Sequence, residues 1–290
     1  GGTHTFNNGS STEGMPNLSP GTLLIPNGAN MALNGTLQWN NTATIQGPGT
    51  LTIPAAGVLN VSGNNPRVMS NLIVANSGTV TYNSNGDDLE LNAGTVFNNL
   101  AGGTFDIQIP FFVESTAGTA TFNNAGLVTR TVGGGTGGFR TGTGLTFNNN
   151  AGALRSNSGD LNLQASGTHD GAFTVQAGTV RINGGTHTFN NGSTIEGTLN
   201  LTAGTLAVPA GAIATLNGTL NWDGVSTIAG PGTLVNASNT INVSGNLQRV
   251  LSGITLNNDG TINYNSNGND LQLNDGAIFN NRAGATFNIQ

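Results

Sequence analysis

The sequence predicts an all-β chain that folds as an elongated parallel β-helix, or β-solenoid, without significant helix. Three observations predict this class. The chain of 290 residues contains a long internal repeat, and its apolar residues alternate with polar ones over short stretches. Glycine, asparagine and threonine, which are weak helix formers, recur every few residues. Internal repetition on this scale is typical of folds built by stacking similar units.

A long duplication organises the chain. Residues 184–290 repeat residues 1–108, beginning with Gly184–Ser193, which is identical to Gly1–Ser10. The second copy is one residue shorter, and the loss falls near Thr52 to Gly57. Residues in the two copies should therefore occupy equivalent positions in the fold, because each unit of a stacked array depends mainly on its neighbours.

The segment between the copies, residues 109–183, carries short echoes of the same pattern. Phe122-Asn123-Asn124 and Phe147-Asn148-Asn149 repeat the Phe97-Asn98-Asn99 of the first copy. No linker, charge block or shift in composition separates this segment from the copies. We therefore predict one continuous β-solenoid over residues 1–290, in which 109–183 is a continuing segment that bears a glycine-rich loop near residues 133–138.

Short alternating stretches predict the strands. The commonest unit is Gly-Thr-apolar-x-apolar, as in Gly35-Thr36-Leu37-Gln38-Trp39, and its period of two places one side of each strand in a core. Neighbouring inward pairs are about six to eight residues apart, closer than the ~8–12 residues between turn signals of antiparallel sandwiches. Three such strands fit a coil of roughly 20–25 residues. The inward pairs of the second copy are Leu199/Leu201, Leu206/Val208, Ala214/Leu216, Leu220/Trp222 and Ile241/Val243.

The Phe-Asn-Asn pattern predicts ladders of side chains. Stacked coils place equivalent residues about 4.8 Å apart. Asparagine amides at that spacing can hydrogen-bond from coil to coil, and the phenylalanine beside them would stack inside. The near-absence of charge agrees with this arrangement, because like charges at that spacing repel.

Glycine marks the predicted corners. Asn-Gly dipeptides such as Asn34-Gly35 and Asn217-Gly218 tolerate positive φ and predict tight turns. The run Gly133–Gly138 is the strongest loop signal in the chain. It has neither the lysine nor the following helix of a phosphate-binding loop, so we interpret it as a bulge from one corner.

Charge excludes several classes of partner. Charged residues make up 7% of the chain, the net charge is −6, and all seven cations are arginine. Such a chain lacks the clustered cations that nucleic acids and anionic membrane surfaces require. The absence of cysteine excludes disulfides and thiolate metal sites, and no apolar run approaches the ~18 residues of a membrane span. We expect no nucleic-acid partner and no membrane insertion.

The three histidines are candidates for chemistry. His4 and His187 occupy inward-alternating positions beside Phe6 and Phe189. A metal-binding or base role competes there with a histidine that is merely accommodated, and the second is favoured because no other histidine or carboxylate is near in sequence. His169-Asp170 lies in a glycine-rich turn region, and a catalytic histidine would need a nucleophile and an orienting group that the sequence does not place.

The densest acidic cluster is Asp87, Asp88 and Glu90. Many β-helix enzymes cut acidic polysaccharides with calcium, carboxylates and a basic residue. One alternative function is therefore a polysaccharide lyase or hydrolase, with Asp87, Asp88 and either Arg130 or Arg140 in one groove. No catalytic residue is assigned, because the main reading of the chain is not enzymatic.

The turns around this cluster suggest calcium as the one cofactor to consider. Asn85-Gly86-Asp87-Asp88 and Asn267-Gly268-Asn269-Asp270 resemble calcium-binding Gly-Asn-Asp turns. Oxygen ligands from Asn and Asp suit Ca²⁺, which makes Asp87, Asp88 and Asp270 calcium candidates. Only Asp88 recurs in the second copy, as Asp270, so an Asn/Asp turn without metal is the favoured interpretation.

A ligand-binding face is the remaining alternative. An ice-binding array would require the Thr-x-Thr motifs to share one face. They recur at uneven intervals, so they need not do so. Stacking of a glycan on Trp39 or Trp222 would need these rings to be exposed, but the alternation around them predicts that both are buried. The recurring threonine pairs are Thr3/Thr5, Thr50/Thr52, Thr79/Thr81, Thr119/Thr121 and Thr186/Thr188.

The Gly-Thr-Leu-x-Leu/Val units, the Phe-Asn-Asn-x-Ala-Gly turns and the duplicated block resemble the large secreted β-strand-repeat proteins of bacterial surfaces. These include filamentous-haemagglutinin-like and autotransporter-like adhesins. The resemblance covers the whole chain and concerns scaffold positions, so no binding residue is carried over from it. It implies a right-handed parallel β-helix, secretion to the bacterial cell surface, and a role as stalk, fibre or adhesive shaft.

These observations lead to one expectation about function. We expect a structural segment of a secreted bacterial surface adhesin or extracellular filament, acting as a rigid β-solenoid shaft. Its partners would be further copies of the same repeat, end to end or in fibres, and surface glycans. The chain starts at Gly1 without a charged and apolar leader, so we expect it to be an internal piece of a longer polypeptide.

Overall fold

The chain folds as a parallel β-solenoid, which confirms the predicted fold class. The structure is a computed structural model that describes residues 1–84, 86–132, 134–268 and 270–290. Strands occupy 62% of the chain in about 13 turns, and the described part contains no helix. Consequently, no helix long and apolar enough to cross a membrane is present there.

The chain divides into two compact units. The first comprises residues 1–148 and 156–161, and the second comprises 149–155 and 162–290. Nineteen short strands precede the boundary region: β1 Thr3–Thr5, β2 Ser11–Thr12, β3 Asn17–Leu18, β4 Thr22–Leu24, β5 Asn30–Leu33, β6 Thr36–Trp39, β7 Thr44–Gln46, β8 Thr50–Ile53, β9 Val58–Gly63, β10 Arg67–Ser70, β11 Ile73–Asn76, β12 Thr79–Ser84, β13 Leu89–Asn92, β14 Val96–Asn99, β15 Thr104–Ile107, β16 Phe112–Glu114, β17 Ala120–Asn124, β18 Leu127–Arg130 and β19 Thr136–Phe139.

Two of the strands that follow contain the boundary between the units: β20 Leu145–Asn150 and β21 Ala153–Leu163. The remaining strands belong to the second unit: β22 Gly167–Asp170, β23 Ala172–Phe189, β24 Thr194–Ala207, β25 Ile213–Ala229, β26 Thr233–Asn236, β27 Thr240–Gly245, β28 Arg249–Ser252, β29 Thr255–Asn258, β30 Thr261–Ser266, β31 Leu271–Asn274, β32 Ile278–Asn281 and β33 Thr286–Ile289. Four of these strands, β21, β23, β24 and β25, are longer, with 11 to 18 residues, because they continue through a corner without a break.

Each strand pairs in parallel with the strand one coil away. In the first unit β6 pairs with β9 and β9 with β12, and in the second β27 pairs with β30 and β30 with β33. The coil measures 21 residues in the Asn221–Asn242 column and 25 in the Asn99–Asn124 column. Equivalent positions therefore form columns that run from coil to coil.

The core lies inside each coil and follows the predicted alternation. All ten inward residues predicted for the second copy are buried, with at most 1% of their surface exposed. Trp39 and Trp222 are buried as predicted, at 0% and 1% exposure. Burying a large apolar side chain contributes about 1.5–3 kcal/mol, so these columns supply most of the stabilisation of the coils.

The Asn-Gly corners depend on glycine for a reason other than the one predicted. Neither Gly35 nor Gly218 has a positive φ. A Cβ atom on Gly35 would lie 2.2 Å from the carbonyl oxygen of Gly14, and one on Gly218 would lie 2.0 Å from that of Gly197. The requirement is thus close stacking of one corner on the next, because any side chain there would clash with backbone.

The predicted glycine-rich loop at 133–138 is shorter than expected. Gly133 lies outside the described residues, and Gly134 and Gly135 form a bend. Thr136–Phe139 forms strand β19, which pairs with β16. Gly137 fits this strand because a Cβ atom there would lie 2.1 Å from Nη1 of the buried Arg130. The glycines therefore leave room for an inward arginine rather than form a bulge.

Candidate functional site

The one dense group of charged side chains among the described residues lies on the sheet formed by β13, β16 and β19. In-register pairing places Glu90 opposite Glu114, and Val113 opposite Phe139, so that Arg140 follows Glu114 in the same column. Asp88 precedes β13 at the adjoining corner. The fold thus brings together two carboxylates and an arginine that are far apart in sequence.

Arg140 binds both carboxylates. Its Nε lies 2.6 Å from Oε2 of Glu114 and its Nη2 lies 3.0 Å from Oε1, which is the two-pronged geometry of a strong guanidinium–carboxylate pair. Nη2 also contacts Oδ2 of Asp88. The Asp88 and Glu114 side chains are 9% and 12% exposed, whereas Arg140 is 41% exposed. The arginine therefore covers a carboxylate pair that is otherwise largely buried.

Neighbouring groups fix this cluster in place. The backbone N–H of Phe112 donates to Oδ1 of Asp88 at 2.7 Å. The guanidinium carbon of Arg140 lies 5.2 Å from the centre of the Phe112 ring, within range of a cation–π interaction. The buried Tyr82 hydroxyl donates toward the carbonyl of Asp87 at 2.9 Å. Each oxygen of Asp88 therefore already has a partner within the protein.

The two carboxyl groups differ in their affinity for a proton. Burial raises the pKa of Asp88, outweighing its hydrogen bond from Phe112 and the charge of Arg140. The hydrogen bond from Arg140 lowers the pKa of Glu114, and the same bond raises the pKa of Arg140. Two carboxyl groups whose pKa values shift in opposite directions are typical of acid–base sites. Here, however, Arg140 is bonded to both carboxyl groups.

The predicted enzyme groove is therefore assembled only in part. Asp88 and Arg140 meet as that hypothesis required, whereas Arg130 is fully buried and donates from Nη1 to the carbonyl of Ile109 at 2.7 Å. Asp87 accepts from the Asp88 backbone at 3.1 Å and does not join the pair with Arg140. Glu114 was missed by the sequence reasoning, although its spacing of 26 residues from Arg140 equals about one coil.

Replacing Arg140 with glutamine should raise the pKa of Glu114, because the hydrogen bond and positive charge that favour its ionised form are lost. The change can be followed by carboxyl ¹³C NMR titration of wild type and variant. Arg282→Gln is the matched control, since Arg282 forms a single exposed pair with Asp259 at 3.0 Å. An unchanged Glu114 titration in Arg140→Gln would show that the ion pair does not form in solution.

The described residues do not place a set of metal-ligating side chains around the calcium candidates Asp87, Asp88 and Asp270. Asn85 and Asn269, which belong to the two predicted turns, lie outside the described residues. Among the described residues, no group of three or more His, Asp or Glu side chains is placed to hold a metal ion. Asp88 is engaged by Arg140 and Phe112, and Asp270 lines an open apolar cavity with Tyr264 and Leu271.

Asparagine ladders are present in both units, as predicted. Inside the first unit, Asn76 donates to Asn99 at 2.8 Å and Asn99 donates to Asn124 at 2.8 Å. On the outer surface, Asn123 donates to Asn98 at 2.9 Å. The inner amides also cap corners, since the Asn76 side chain accepts from the Gly78 backbone at 3.1 Å. Phe97 and Phe122 stack beside the ladder with centroids 4.8 Å apart.

Asn99→Ala should lower the free energy of unfolding by about 1–3 kcal/mol, because the buried partners of Asn99 lose hydrogen bonds in a dry interior. Asn98→Ala, one residue away on the outer ladder, should change it by less than about 0.5 kcal/mol. Urea denaturation of the two variants tests this contrast. Equal losses for both would mean that the inner amides are no more important than the outer ones.

The histidines are placed differently from their prediction. His187 points into the core as predicted, whereas His4 is exposed, because β1 pairs on one side only, with β4. His169 is fully buried in strand β22 rather than in a turn. Its Nε2 lies 2.9 Å from Nδ1 of His187, and the backbone N–H of Asn149 donates to its Nδ1 at 3.3 Å.

The Asn149 contact favours one tautomer of His169. A backbone N–H donating to Nδ1 places the His169 proton on Nε2, which faces Nδ1 of His187. Phe173 and Phe189 pack on His169 with centroids 4.8 Å away. Burial lowers the pKa of His187 to about 4 and that of His169 well below its usual value. Two neutral imidazoles in an aromatic cage are suited to packing rather than to catalysis near neutral pH.

The threonine pairs do not form one surface. Thr3 lies in a column with Thr22, Thr50 in a column with Ile73, and Thr79 in a column with Thr104. These three columns belong to different strands of the coil, so the Thr-x-Thr motifs are divided among its sides.

Comparison with known proteins assigns the chain to no family. No protein-family model matches the chain, and no curated protein matches it. The fold and the contacts described above therefore carry the functional argument.

Proposed function

We propose that the chain is a structural segment of a secreted bacterial surface adhesin or extracellular filament, in which the solenoid serves as a rigid shaft. The observation that carries this proposal is the repetition of one side-chain type along a column. Asn200, Asn221, Asn242, Asn263 and Asn288 are joined by amide hydrogen bonds of 2.9–3.1 Å across successive coils. Such repetition stabilises every coil in the same way and singles out none for chemistry.

Partners of the shaft would be further solenoid coils. The last coil of the second unit leaves apolar side chains in contact with solvent, with Leu273 50% and Ile289 73% exposed. They border an open cavity of about 320 Å³ that Phe279 and Phe287 also line. A further coil, from the same polypeptide or from another copy, would cover this surface and pair with the free edges of its strands.

A shaft should tolerate the loss of one whole coil. Deleting residues 219–239 removes the 21 residues of one coil in the Asn221–Asn242 column, so Asn200 would stack directly on Asn242. We expect a folded protein whose melting temperature changes by a few degrees, since only one set of neighbour contacts is lost. Deleting residues 219–229 instead would misalign corners and strands, and it should abolish cooperative unfolding of the second unit.

The enzyme alternative is tested in parallel. Purified protein should release no products from acidic polysaccharides, with or without added calcium. Product release that Asp88→Asn or Arg140→Gln abolishes would overturn the structural proposal, because these side chains would then have a chemical role. Arg140 and the Phe112 backbone already bind Asp88. The enzyme alternative therefore has less support than the structural proposal, which is carried by the repeated asparagine column.

A further inference from the structure

A shallow polar groove crosses three coils of the first unit, on the outer side of β6, β9 and β12. Its volume is about 270 Å³. In-register pairing stacks Gln38 on Asn60 and Asn60 on Thr81, with Ser62 beside Asn83 in the next column. Amide and hydroxyl groups therefore repeat at the strand spacing of about 4.8 Å. The lining residues are Gln38, Asn60, Val61, Ser62, Thr81 and Asn83.

The polar groups of this groove are not used by the protein itself. In residues 1–84, 86–132, 134–268 and 270–290, no group hydrogen-bonds to the side chains of Gln38, Asn60, Thr81 or Asn83. Each amide presents donors and an acceptor, and the threonine hydroxyl presents both. The groove thus offers a set of solvent-facing hydrogen-bonding groups that have no partner within the described part of the protein, held on a sheet.

The second copy shows what the same positions look like when they are satisfied. Asn221, Asn242 and Asn263 are the counterparts of Gln38, Asn60 and Thr81. There Asn242 donates to Asn221 and Asn263 donates to Asn242, each at 3.0 Å. The first copy differs at the outer two positions, and a glutamine and a threonine do not continue the ladder. The duplication thus supplies a matched reference for the groove.

Charge narrows the class of ligand. None of the lining residues is charged. The next residue in the column beyond Thr81 is Asp106, whose carboxylate accepts from Thr131 at 2.6 Å and from Gln108 at 2.8 Å. A fixed negative charge at one end, with no cation in the lining, disfavours anionic ligands.

We propose that this groove binds a short stretch of uncharged polysaccharide. Adjacent sugar hydroxyls both donate and accept, which matches the paired donor and acceptor of the Gln38, Asn60 and Asn83 amides. The sheet holds these groups in place before binding, which reduces the ordering penalty. The lining has no aromatic ring for a sugar to stack on, so we expect a dissociation constant on the order of 1 mM for an isolated chain.

The test follows the side-chain amide signals of Gln38, Asn60 and Asn83 by ¹H–¹⁵N NMR during titration with neutral cello-, manno- and galacto-oligosaccharides. We expect saturable shifts of these signals with at least one of the three, and at least tenfold weaker binding of oligogalacturonate. Absence of shifts with all three neutral series would overturn the proposal, as would tighter binding of oligogalacturonate.

A double variant converts the groove into the arrangement of the second copy. Gln38→Asn with Thr81→Asn should close the amide ladder, leave the circular dichroism spectrum unchanged, and weaken binding at least tenfold. The reciprocal Asn221→Gln with Asn263→Thr should open a second groove and raise the stoichiometry from one to two. Binding that survives the first double variant would place the site elsewhere and contradict the proposal.

A second copy of the chain is the competing occupant of this face. If the same amide signals move with protein concentration in the absence of sugar, the groove is a contact between copies and the carbohydrate proposal is wrong. If they are independent of protein concentration and respond to sugar, the proposal is supported. Sugar binding without product release leaves the shaft function intact, so the two proposals can fail separately.

Discussion

Phe122→Ala should lower the stability of the first unit by about 3–5 kcal/mol, the range for removing a fully buried phenylalanine. Phe122 is 0% exposed and lies at the centre of an aromatic stack. Its ring centroid is 4.8 Å from that of Phe97, 5.1 Å from Phe105 and 4.7 Å from Phe139. Truncation therefore removes contacts with three rings of the two neighbouring coils and leaves a cavity that a rigid stack of strands fills poorly.

The measurement uses one tryptophan for each unit. In a Trp222→Phe background, fluorescence of the buried Trp39 reports guanidinium unfolding of the first unit alone. Phe279→Ala in a Trp39→Phe background is the matched control, because Phe279 is the counterpart of Phe97 but is only partly buried. We expect the control to lose less than about 2 kcal/mol. Similar losses in both variants would mean that the aromatic stack is not tightly packed.

Acidification from pH 6.5 to pH 4 should destabilise the second unit by about 3 kcal/mol through His187, whose pKa burial lowers to about 4. The unfolded chain binds a proton near the ordinary histidine pKa of about 6.5, whereas the folded chain does not. The contribution of the neutral histidine to stability is therefore complete above pH 6.5 and is lost as the pH falls toward 4. His169, whose pKa burial and then His187 lower further, adds to the same trend.

Guanidinium midpoints of the second unit, followed by Trp222 fluorescence in the Trp39→Phe background between pH 7 and pH 4, test this dependence. Removing both imidazoles with His169→Leu and His187→Leu should flatten the profile, because apolar side chains of similar size do not titrate. His4→Leu should leave the profile unchanged, since His4 is exposed and lies in the first unit. A steep acid transition that persists in the double variant would assign it to carboxylates instead.

The sequence allowed the fold to be predicted because its information is local and repeated. Phe97-Asn98-Asn99 and Phe122-Asn123-Asn124 predicted stacked rings and amide ladders, and both are present. Alternation of period two placed Trp39 and Trp222 inside. Coil boundaries did not follow, because the coil changes from 21 residues in one column to 25 in another, and glycine-rich segments such as Thr136–Phe139 formed strand despite a loop-like composition.

The charged cluster was less predictable, because its members belong to three coils. Asp88 and Arg140 are 52 residues apart, and Glu114 lies midway between them at 26 residues from Arg140. That interval is a usable signal once the coil in this region is known to be about 25 residues long, as the Asn99–Asn124 bond indicates. Without the coil length, Arg130 and Arg140 were equivalent candidates, and burial separates them.

The two copies of the repeat also show that identical sequence does not ensure an identical environment. Gly1–Ser10 and Gly184–Ser193 are the same, yet His4 is exposed and His187 is buried. The difference comes from the neighbouring coil: His187 stacks against His169, whereas β1 has a paired strand on one side only. A column position is thus defined by the residues one coil before and after it.

The one-residue difference in length between the copies has a consequence for how such chains diverge. It falls after the equivalent strands β8 and β26 of the two copies, where Pro54-Ala55-Ala56-Gly57 is replaced by Ala237-Ser238-Asn239. In the shorter version Asn236 bridges the bend by donating to the Asn239 carbonyl at 3.1 Å. The fold therefore tolerates the insertion or deletion of one residue at a bend. An insertion within a strand would instead turn the apolar side chains that follow it outward. Related chains should accordingly drift in length only between strands.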